Sequence, residues 1–264
     1  MIKKRPSSLI KVPLGNNLLL KKVVDLVNSN EELKTLWRVN NINAIDRLGF
    51  NDHGPIHFQI VANIGLRLAR LLNKAKVDMS VMKDYSLSFD FAEVIIFLGC
   101  VLHDIGMSIN REGHEELSLF LADGLLKEIL AFLPTEERVI VKSDILHAIL
   151  SHRSDGKPIT IEAGIVRVAD ALDMSKGRSR IPFEAGKVNI HSISAYSIDK
   201  VDISEGVKRI IQVNILMNNS AGIYQVDELL KKKLANSGLE EYFEIKAYIN
   251  QKTEKRLIKE FFIK

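Results

Sequence analysis

The feature that most constrains this chain is a run of nine apolar residues that ends in a histidine and an aspartate. Val94–Leu102 has the sequence VIIFLGCVL, and His103 and Asp104 follow it directly. A carboxylate at the edge of a buried helix must be paired or bound to a cation, because uncompensated burial of charge is expensive. Neighbouring helical residues point about 100° apart, so both side chains could reach one ion. The run therefore predicts a buried helix with a polar site at its carboxyl end.

Length and composition exclude several classes of protein. The chain has 264 residues, of which 46% are hydrophobic and 27% are charged, as in a folded protein and unlike a disordered one. Cys100 is the only cysteine, which excludes a disulfide-stapled secreted module. The apolar run is shorter than the roughly 20 residues of a membrane-spanning helix, and the N-terminus lacks the apolar segment of a signal peptide. We therefore expect a cytoplasmic protein with no membrane partner.

Charged residues are scattered along the chain. The 37 Lys and Arg against 33 Asp and Glu give a net charge of +4, which permits an anionic partner. The densest basic run is Lys231-Lys232-Lys233. We interpret this run as the solvated face of a helix rather than as a nucleic-acid patch.

Helical signals fill the first two thirds of the chain. Ser29 and Glu32 form a predicted capping box, and Pro55 is well placed as the first residue of another helix. Asp90 opens the helix that carries the apolar run, and Gly106 is its predicted end. Further helices are predicted at about 115–131, 136–151 and 162–174.

The pattern changes after about residue 183. Residues 211–217 and 243–249 alternate apolar and polar side chains, as strands do, and an amphipathic helix is predicted between them. Strand, helix and strand together indicate a small α+β domain. We therefore predict a mainly α-helical domain over residues 1–182 and a smaller C-terminal α+β domain over residues 183–264, joined by the linker Ser175–Gly186.

A second carboxylate poses the same difficulty on another helix, because Asp170 interrupts an otherwise apolar stretch. One divalent ion would compensate all of these polar groups if it were held by His57, His103, Asp104 and Asp170. Nitrogen and oxygen ligands suit Mn, Fe, Co, Ni or Zn, and Mg less well. Each residue taken alone is more often a satisfied polar group of the core. Three helices each bring such a group into an apolar setting, however, and this favours the metal.

These residues resemble the HD superfamily of metal-dependent phosphohydrolases. The matching pattern is His57, the tetrapeptide His103-Asp104-Ile105-Gly106, and Asp170 within the segment Val168–Asp173. The resemblance covers about residues 50–182. It implies an all-helical HD-domain fold in which these two histidines and two aspartates bind metal, and in which Asp104 is also a catalytic residue.

The resemblance implies further roles for histidines. Some HD proteins hold a second metal, and His114 and His152 stand where its histidines would be, whereas we assign the nearby His147 a structural role. Two ions about 3.5–4 Å apart would clamp a phosphoester, so we expect one or two divalent ions per chain and favour two. His53 precedes the first implied ligand, His57, by four residues. In the cyclic-nucleotide phosphodiesterases, which are distant HD relatives, a histidine four residues before the first ligand protonates the leaving oxygen, and the resemblance implies that role for His53. Its alternative role is a polar contact at the start of the helix.

Phosphate also needs positive side chains near the metal. Arg111, Arg153 and Lys157 lie close in sequence to the implied ligands and are the predicted substrate-binding residues, since guanidinium forks suit phosphate oxygens. Other arginines near the last motif helix are Arg167, Arg178 and Arg180.

The function implied is hydrolysis of a phosphomonoester or phosphodiester by metal-activated water, with a phosphorylated small molecule, a nucleotide in particular, as partner. Met107 and Gly156-Lys157-Pro158 depart from relatives that cleave cyclic di-GMP, which disfavours that substrate. Two alternatives stay open: a phosphodiesterase (nuclease) with RNA or DNA as its partner, and a non-catalytic nucleotide sensor that keeps the metal. We expect the C-terminal domain to shape substrate access or to form a homo-oligomer interface.

Overall fold

Helices make up most of the described chain. The structure is a computed structural model that describes residues 9–174, 190–249 and 254, apart from the side chain of His191. The predicted linker Ser175–Gly186, with its two arginines Arg178 and Arg180, lies outside the described residues. The predicted domain boundary after residue 182 lies outside them as well.

The helices that the sequence predicts in the first two thirds of the chain are present in the structure. The structure also contains helices that the sequence pattern does not predict. The bounds of the helices that precede the strands are α1 Leu18–Ser29, α2 Glu31–Asn41, α3 Pro55–Lys74, α4 Ser80–Tyr85, α5 Phe89–Leu102, α6 His114–Ile129, α7 Thr135–Ser151, α8 Ile161–Leu172 and α9 Ile190–Tyr196. A π-helical turn, Ile42–Arg47, follows α2. Pro55 begins α3 as predicted, and α6, α7 and α8 confirm the three later helices to within two residues at each end.

The apolar run forms the central helix of the fold. Every residue of α5 from Ala92 to Leu102 is buried, and α5 packs against α3, α7 and α8. Phe89–Ser108 is long and apolar enough to cross a membrane by length and composition alone, but 89% of its apolar window is buried inside the protein. Such burial is that of a core helix, as the sequence predicts.

Two helix ends differ from the prediction. Asn30, not Ser29, caps α2: its side-chain oxygen accepts a hydrogen bond from the backbone N–H three residues later at 2.8 Å, whereas Ser29 is the last residue of α1. α5 ends at Leu102, and Gly106 lies in the 3-10 turn that follows. A Cβ atom on Gly106 would lie 2.1 Å from the carbonyl oxygen of His114. The glycine therefore permits the close approach of α6 rather than ending α5.

The C-terminal part carries a three-stranded sheet. Its strands are β1 Ile198–Glu205, β2 Ile211–Met217 and β3 Phe243–Ile249, in that spatial order. β1 and β2 are antiparallel, with Ile203 opposite Val213, and β2 and β3 are parallel, with Val213 opposite Ile245. β2 and β3 confirm the two predicted strands, whereas β1 is an addition that the sequence pattern does not predict.

The connection between β2 and β3 brings the C-terminal part against the helices. A parallel pair of strands needs a crossover, which here contains the π-helical turn Gln225–Leu230 followed by α10, Lys231–Leu234. α10 packs against α8, and buried side chains of β1 and β2 belong to the same hydrophobic cluster as those of the helices. A mainly helical fold with a smaller α+β region is therefore confirmed, and its division into two domains stays a prediction.

Candidate metal centre

All six predicted metal ligands lie together where several helices begin or end. They are His57 in the first turn of α3, His103 and Asp104 after α5, His114 at the start of α6, His152 after α7, and Asp170 in the last turn of α8. The packing of α3, α7 and α8 around the buried helix α5 therefore brings residues from distant parts of the sequence to one place.

The first set of ligand atoms surrounds one point. His57 Nε2 lies 3.2 Å from His103 Nε2, and Asp170 Oδ1 lies 3.5 and 3.7 Å from these two nitrogens. Asp104 Oδ2 lies 3.7 Å from His57 Nε2 and 3.3 Å from His103 Nε2. Ligand atoms that share one ion at the usual bond lengths lie about 3.0–3.4 Å apart. The first set therefore has approximately the spacing of a single coordination shell.

The second set lies on the other side of Asp104. Asp104 Oδ1 is 3.0 Å from His114 Nε2 and 3.3 Å from His152 Nε2. A carboxylate oxygen of Glu115 lies 3.2 Å from His114 Nδ1, and the three residues His114, Glu115 and His152 form a further group able to hold an ion. The single carboxylate of Asp104 thus contacts one set of ligands through each of its oxygens.

Each of the four histidines has its other ring nitrogen beside an acceptor. His57 Nδ1 donates to the Asp173 carboxylate at 2.7 Å. The Nδ1 atoms of His103, His114 and His152 donate to the carbonyls of Cys100, Arg111 and Ile149 at 2.9, 2.8 and 2.6 Å. These acceptors assign the proton of the neutral ring to Nδ1 and leave a lone pair on Nε2. Lone pairs on His57 and His103 at 3.2 Å repel unless a proton or a metal ion lies between them, so the donor set fits a divalent ion.

The charges of the centre lead to the same conclusion. Burial lowers the pKa of His103, but the Asp104 and Asp170 carboxylates outweigh burial and raise this pKa to about 10. Burial raises the pKa of Asp104, but His103, His114 and His152 hold that pKa well below its usual range. Asp104 is therefore ionised at neutral pH, and the centre stabilises a positive charge beside it. A proton on His103 or a divalent ion would supply that charge.

Three supporting residues are not identified by the sequence. Asp173 orients His57, and its position three residues after Asp170 on the same segment is a signal that could have found it. The Ser118 hydroxyl donates to the His103 carbonyl at 2.8 Å. Asn40 Nδ2 donates to the carbonyl of Asp104 at 2.9 Å across 64 residues of sequence, and no local pattern indicates that contact.

A cavity of about 400 Å³ opens beside the centre. The predicted ligands among its lining residues are Asp104, His114, His152 and Asp170. His53 also lines the cavity, with its ring centroid 5.7 Å from that of His57. Its Nδ1 lies 2.8 Å from the carbonyl oxygen of Asn51, a hydrogen bond in which Nδ1 donates. The structure therefore brings the predicted proton donor to the cavity, beside the ligand sets.

Two of the three predicted phosphate-binding residues reach the cavity. Arg111 lines it, and its guanidinium carbon lies 4.1 Å from the centroid of the Phe50 ring. Arg153 also lines the cavity, but its guanidinium is already paired with Asp155 at 2.6 Å and with Glu116 at 2.9 Å. A phosphate group would therefore have to compete with two carboxylates for Arg153.

The third predicted phosphate-binding residue, Lys157, lies elsewhere. Its side chain is exposed and is not among the described residues that line the cavity. The reason is that the chain turns back along α7 after this residue, since the backbone N–H of Ile159 donates to His147 Nε2 at 3.0 Å. His147 thus holds this segment, as expected of its structural role.

Arg167 is buried and donates to backbone carbonyls, so it is not a phosphate ligand either.

Comparison with known proteins agrees with this geometry. Residues 56–175 match the family model described as HD domain. The chain is 40% identical to the uncharacterized protein MJ1020 of Methanocaldococcus jannaschii over 244 residues, which are 92% of this chain and 93% of that protein. It is 25% identical to Ribonuclease Y of Borrelia garinii subsp. bavariensis over 206 residues, which are 73% of this chain and 36% of the ribonuclease. No significant match to a solved structure was found.

The matched segment coincides with the centre. The HD-domain match over residues 56–175 contains all six predicted ligands, from His57 to Asp170. The likeness to MJ1020 extends over nearly the whole length of both chains, so it includes the C-terminal α+β region as well. By its fold, its ligand constellation and these matches, the chain belongs to the HD superfamily of metal-dependent phosphohydrolases.

Proposed function

We propose that this chain hydrolyses a phosphomonoester or phosphodiester of a nucleotide in a metal-dependent reaction. The observation that carries the proposal is the Asp104 carboxylate, whose two oxygens face two sets of imidazole nitrogens at the wall of a cavity. Two cation positions that share a carboxylate suit displacement at phosphorus, because the attacking and leaving oxygens both need stabilisation. Membership of the HD superfamily supports the same reaction class.

The two ligand sets support two divalent ions per chain. The first ion would be held by His57, His103, Asp104 and Asp170, and the second by Asp104, His114 and His152. Bound divalent ions supply a Lewis acid for a phosphoryl oxygen and lower the pKa of water. Their identity follows from the nitrogen and oxygen donors, which suit Mn, Fe, Co, Ni or Zn and, less well, Mg. Asp173 keeps the His57 ring in place by accepting the Nδ1 proton.

His53 is the proposed proton donor to the leaving oxygen. It lines the cavity but lies outside both ligand sets, so it can change its protonation state without losing a metal bond. Its Nδ1 donates to the Asn51 carbonyl, which leaves Nε2 as the atom that would transfer a proton. An imidazole is suited to this role near neutral pH.

The cavity supports a nucleotide as the substrate. A volume of about 400 Å³ lies in the range of small-molecule sites. Phe50 and Arg111 line it together, with the guanidinium over the aromatic ring. A flat ring and a planar cation can stack on a nucleobase, and the same guanidinium can bind phosphate oxygens. The proposed partner is therefore a phosphorylated small molecule.

The expected cytoplasmic location is part of the same proposal. Two observations support it. Cys100 is the single cysteine of the chain, and it is buried and forms no disulfide. The apolar helix α5 is covered by protein and does not present its apolar face on the outside.

A phosphodiesterase acting on RNA or DNA is the second candidate. It is favoured by the 25% identity to Ribonuclease Y over 206 residues, although this chain matches only 36% of that protein. The two candidates differ in a simple observable. Binding to a nucleic-acid strand weakens steeply with salt, because phosphate contacts release counterions, whereas a mononucleotide site depends on salt much less.

The test is metal analysis followed by a substrate screen. We expect purified protein to contain bound transition metal, and Asp104→Ala to lose it. The metal-loaded protein is then offered nucleoside mono-, di- and triphosphates, cyclic nucleotides and short labelled RNA and DNA, each with Mn²⁺, Co²⁺, Ni²⁺, Zn²⁺ or Mg²⁺. We expect release of phosphate or a nucleotide product by wild type and none by Asp170→Asn. Metal-loaded wild type that hydrolyses none of these compounds would contradict the proposal.

A further inference from the structure

Three consecutive lysines of the C-terminal region do not share one environment. Lys231 and Lys232 pair with Asp227 and Glu228 one helical turn earlier, in exposed ion pairs, as expected for the solvated face of a helix. Lys233 departs from that expectation. Its side chain is only 18% exposed and its ammonium group pairs with Asp170 Oδ2. The interpretation of this run as a solvated face is therefore wrong for its third member.

A buried arginine fixes the backbone that carries Lys233. Arg167 on α8 is 1% exposed, and its Nε donates to the Lys233 carbonyl at 2.8 Å. Its Nη2 donates to the carbonyls of Lys232 at 3.2 Å and Ser154 at 2.9 Å. The same guanidinium thus binds α10 and the loop after α7, one turn away from Asp170. This anchoring leaves the direction of Lys233 little freedom.

The two oxygens of Asp170 face different groups. Oδ1 lies 3.5 Å from His57 Nε2 and 3.7 Å from His103 Nε2, whereas Oδ2 accepts from the Lys233 ammonium group. The lysine therefore contacts a predicted metal ligand without using the oxygen that faces the imidazoles. Lys233 and Asp170 both line the cavity. An ammonium group has three donors, and Asp170 needs only one of them.

We propose that Lys233 binds the phosphoryl group of the substrate, so that the C-terminal region completes the active site of the helical domain. This inference rests on the proposed function and names a residue for it. Lys233 pairs with one carboxylate, whereas Arg153 is paired with two. Lys233 would act beside Arg111, which lies over the Phe50 ring on the same cavity. A lysine acts on phosphate as a point charge and can bind it without a fixed planar geometry.

The competing explanation is that Lys233 only neutralises Asp170 and holds α10 in place. The two explanations differ in the binding of an anion. A lysine that binds phosphate adds attraction for a free phosphate ion at the centre. A lysine that serves only as a counter-charge acts through Asp170, so its loss changes metal content and the stability of the fold together with any change in phosphate affinity.

The experiment measures binding of inorganic phosphate to manganese-loaded, full-length protein by isothermal titration calorimetry. The variants are Lys233→Gln, which removes the charge, Lys233→Arg, which keeps it, and Lys231→Gln as the matched control from the same run. We expect Lys233→Gln to bind phosphate at least about tenfold more weakly, because a charge-assisted hydrogen bond is lost. Lys231→Gln should bind as wild type does, and Lys233→Arg should retain most of the affinity. Lys233→Met, which keeps the aliphatic stem, replaces the glutamine variant if that variant does not fold.

Metal content and melting temperature are measured on every variant. Loss of phosphate affinity with unchanged metal content supports the inference. Three results would overturn the inference. Lys233→Gln could bind phosphate as tightly as wild type does, or wild type could bind no phosphate. Lys231→Gln could also lose as much phosphate affinity as Lys233→Gln. These outcomes do not depend on turnover. A failure of metal-loaded wild type to hydrolyse any phosphoester would contradict the proposed function, whereas the phosphate titration decides the role of Lys233.

Discussion

The carboxylate of Asp104 lies between two sets of imidazole nitrogens, at 3.3 Å from His103 Nε2 through one oxygen and 3.0 Å from His114 Nε2 through the other. It is buried, and burial raises its pKa, but the surrounding histidines lower that pKa by more. A buried charge needs a compensating partner. At the scale of single residues, the two oxygens of Asp104, each facing its own set of imidazoles, support the proposed two-ion centre.

Replacement of His53 tests the proton donor. A nitrophenolate leaves readily without protonation, whereas a ribose alkoxide needs a proton in the transition state, and general acid catalysis contributes about 10²–10⁴ in rate. We therefore expect His53→Ala to slow hydrolysis of a nucleotide ester far more than that of a nitrophenyl ester, measured as kcat/KM for both.

The control for this comparison is metal content, which should be unchanged in His53→Ala. Equal losses on both esters would mean that His53 orients the substrate instead of supplying a proton. Loss of metal in the variant would mean that His53 binds the metal or supports a metal ligand. Asp170→Ala gives the contrast, since removal of a ligand should abolish activity on both esters.

The raised pKa of His103 predicts how metal affinity depends on pH. With a pKa of about 10, the metal-free centre holds a proton on this ring at pH 7 to 9, and that proton must leave before Nε2 can bind metal. Metal affinity should therefore rise about tenfold per pH unit in this interval. Calorimetric titrations with Mn²⁺ in buffers of different ionisation enthalpy measure the proton released. An affinity that does not change with pH would contradict this account of His103.

Among the elements, α8 connects the helical part to the C-terminal part. It carries Asp170 to the centre and Arg167 to the carbonyls of Lys232 and Lys233 on α10. Both residues lie on the inner side of a helix that is buried over most of its length. α8 therefore positions the predicted ligand Asp170 and the C-terminal Lys233 together.

Removal of the Arg167 guanidinium tests this connection. Arg167→Met would remove the donor from several buried or partly buried backbone carbonyls, each at a cost comparable to a lost hydrogen bond. We expect the free energy of unfolding in urea to fall by about 3 kcal/mol or more. Arg209→Met is the matched control, because Arg209 is exposed and donates to one carbonyl, that of Glu241, at 2.7 Å. A similar, small effect of both replacements would show that Arg167 does not hold the two parts together.

At the scale of the whole molecule, the centre joins segments that are far apart in sequence. His57 and Asp173, whose side chains are in contact, are separated by 116 residues, and His57 and His103 by 46. A ligand that binds only the folded chain stabilises it in proportion to its occupancy. Metal binding should therefore stabilise the whole helical part and not only one loop.

Chelation tests that expectation. At a free Mn²⁺ concentration 100 times the dissociation constant, one site should raise the free energy of unfolding by about 2.7 kcal/mol. We expect EDTA to lower the melting temperature of wild type and to leave that of Asp104→Ala unchanged, both measured by differential scanning calorimetry. A melting temperature of wild type that is the same with Mn²⁺ and with EDTA would be incompatible with metal that links these helices.

The parts of the fold that the sequence predicts are those with local signals. The apolar run identifies α5, Pro55 marks the start of α3, and alternation identifies β2 and β3. β1 has no comparable signal, because its register shifts between Ile198 and Lys200 and interrupts the alternation. It becomes a strand through its pairing with β2.

The residues of the centre likewise divide into those with a local sequence signal and those whose position depends on distant contacts. Its predicted ligands can be recognised in the sequence because each is a polar residue in an apolar or motif setting. Lys233 could not be distinguished from the lysines beside it, since its inward direction depends on Arg167, which lies 66 residues earlier. The prediction for Lys157 rests on its closeness in sequence to His152, but the turn between them carries it away from the cavity.

Anomalous diffraction from crystals of the manganese-loaded protein tests the central claim most directly. The account predicts two manganese peaks, one on each side of the Asp104 carboxylate and about 3.5–4 Å apart. One peak should lie among His57, His103 and Asp170 and the other between His114 and His152. A single peak would contradict the two-ion centre, and the absence of any peak among these residues would contradict the assignment of the cluster as a metal site.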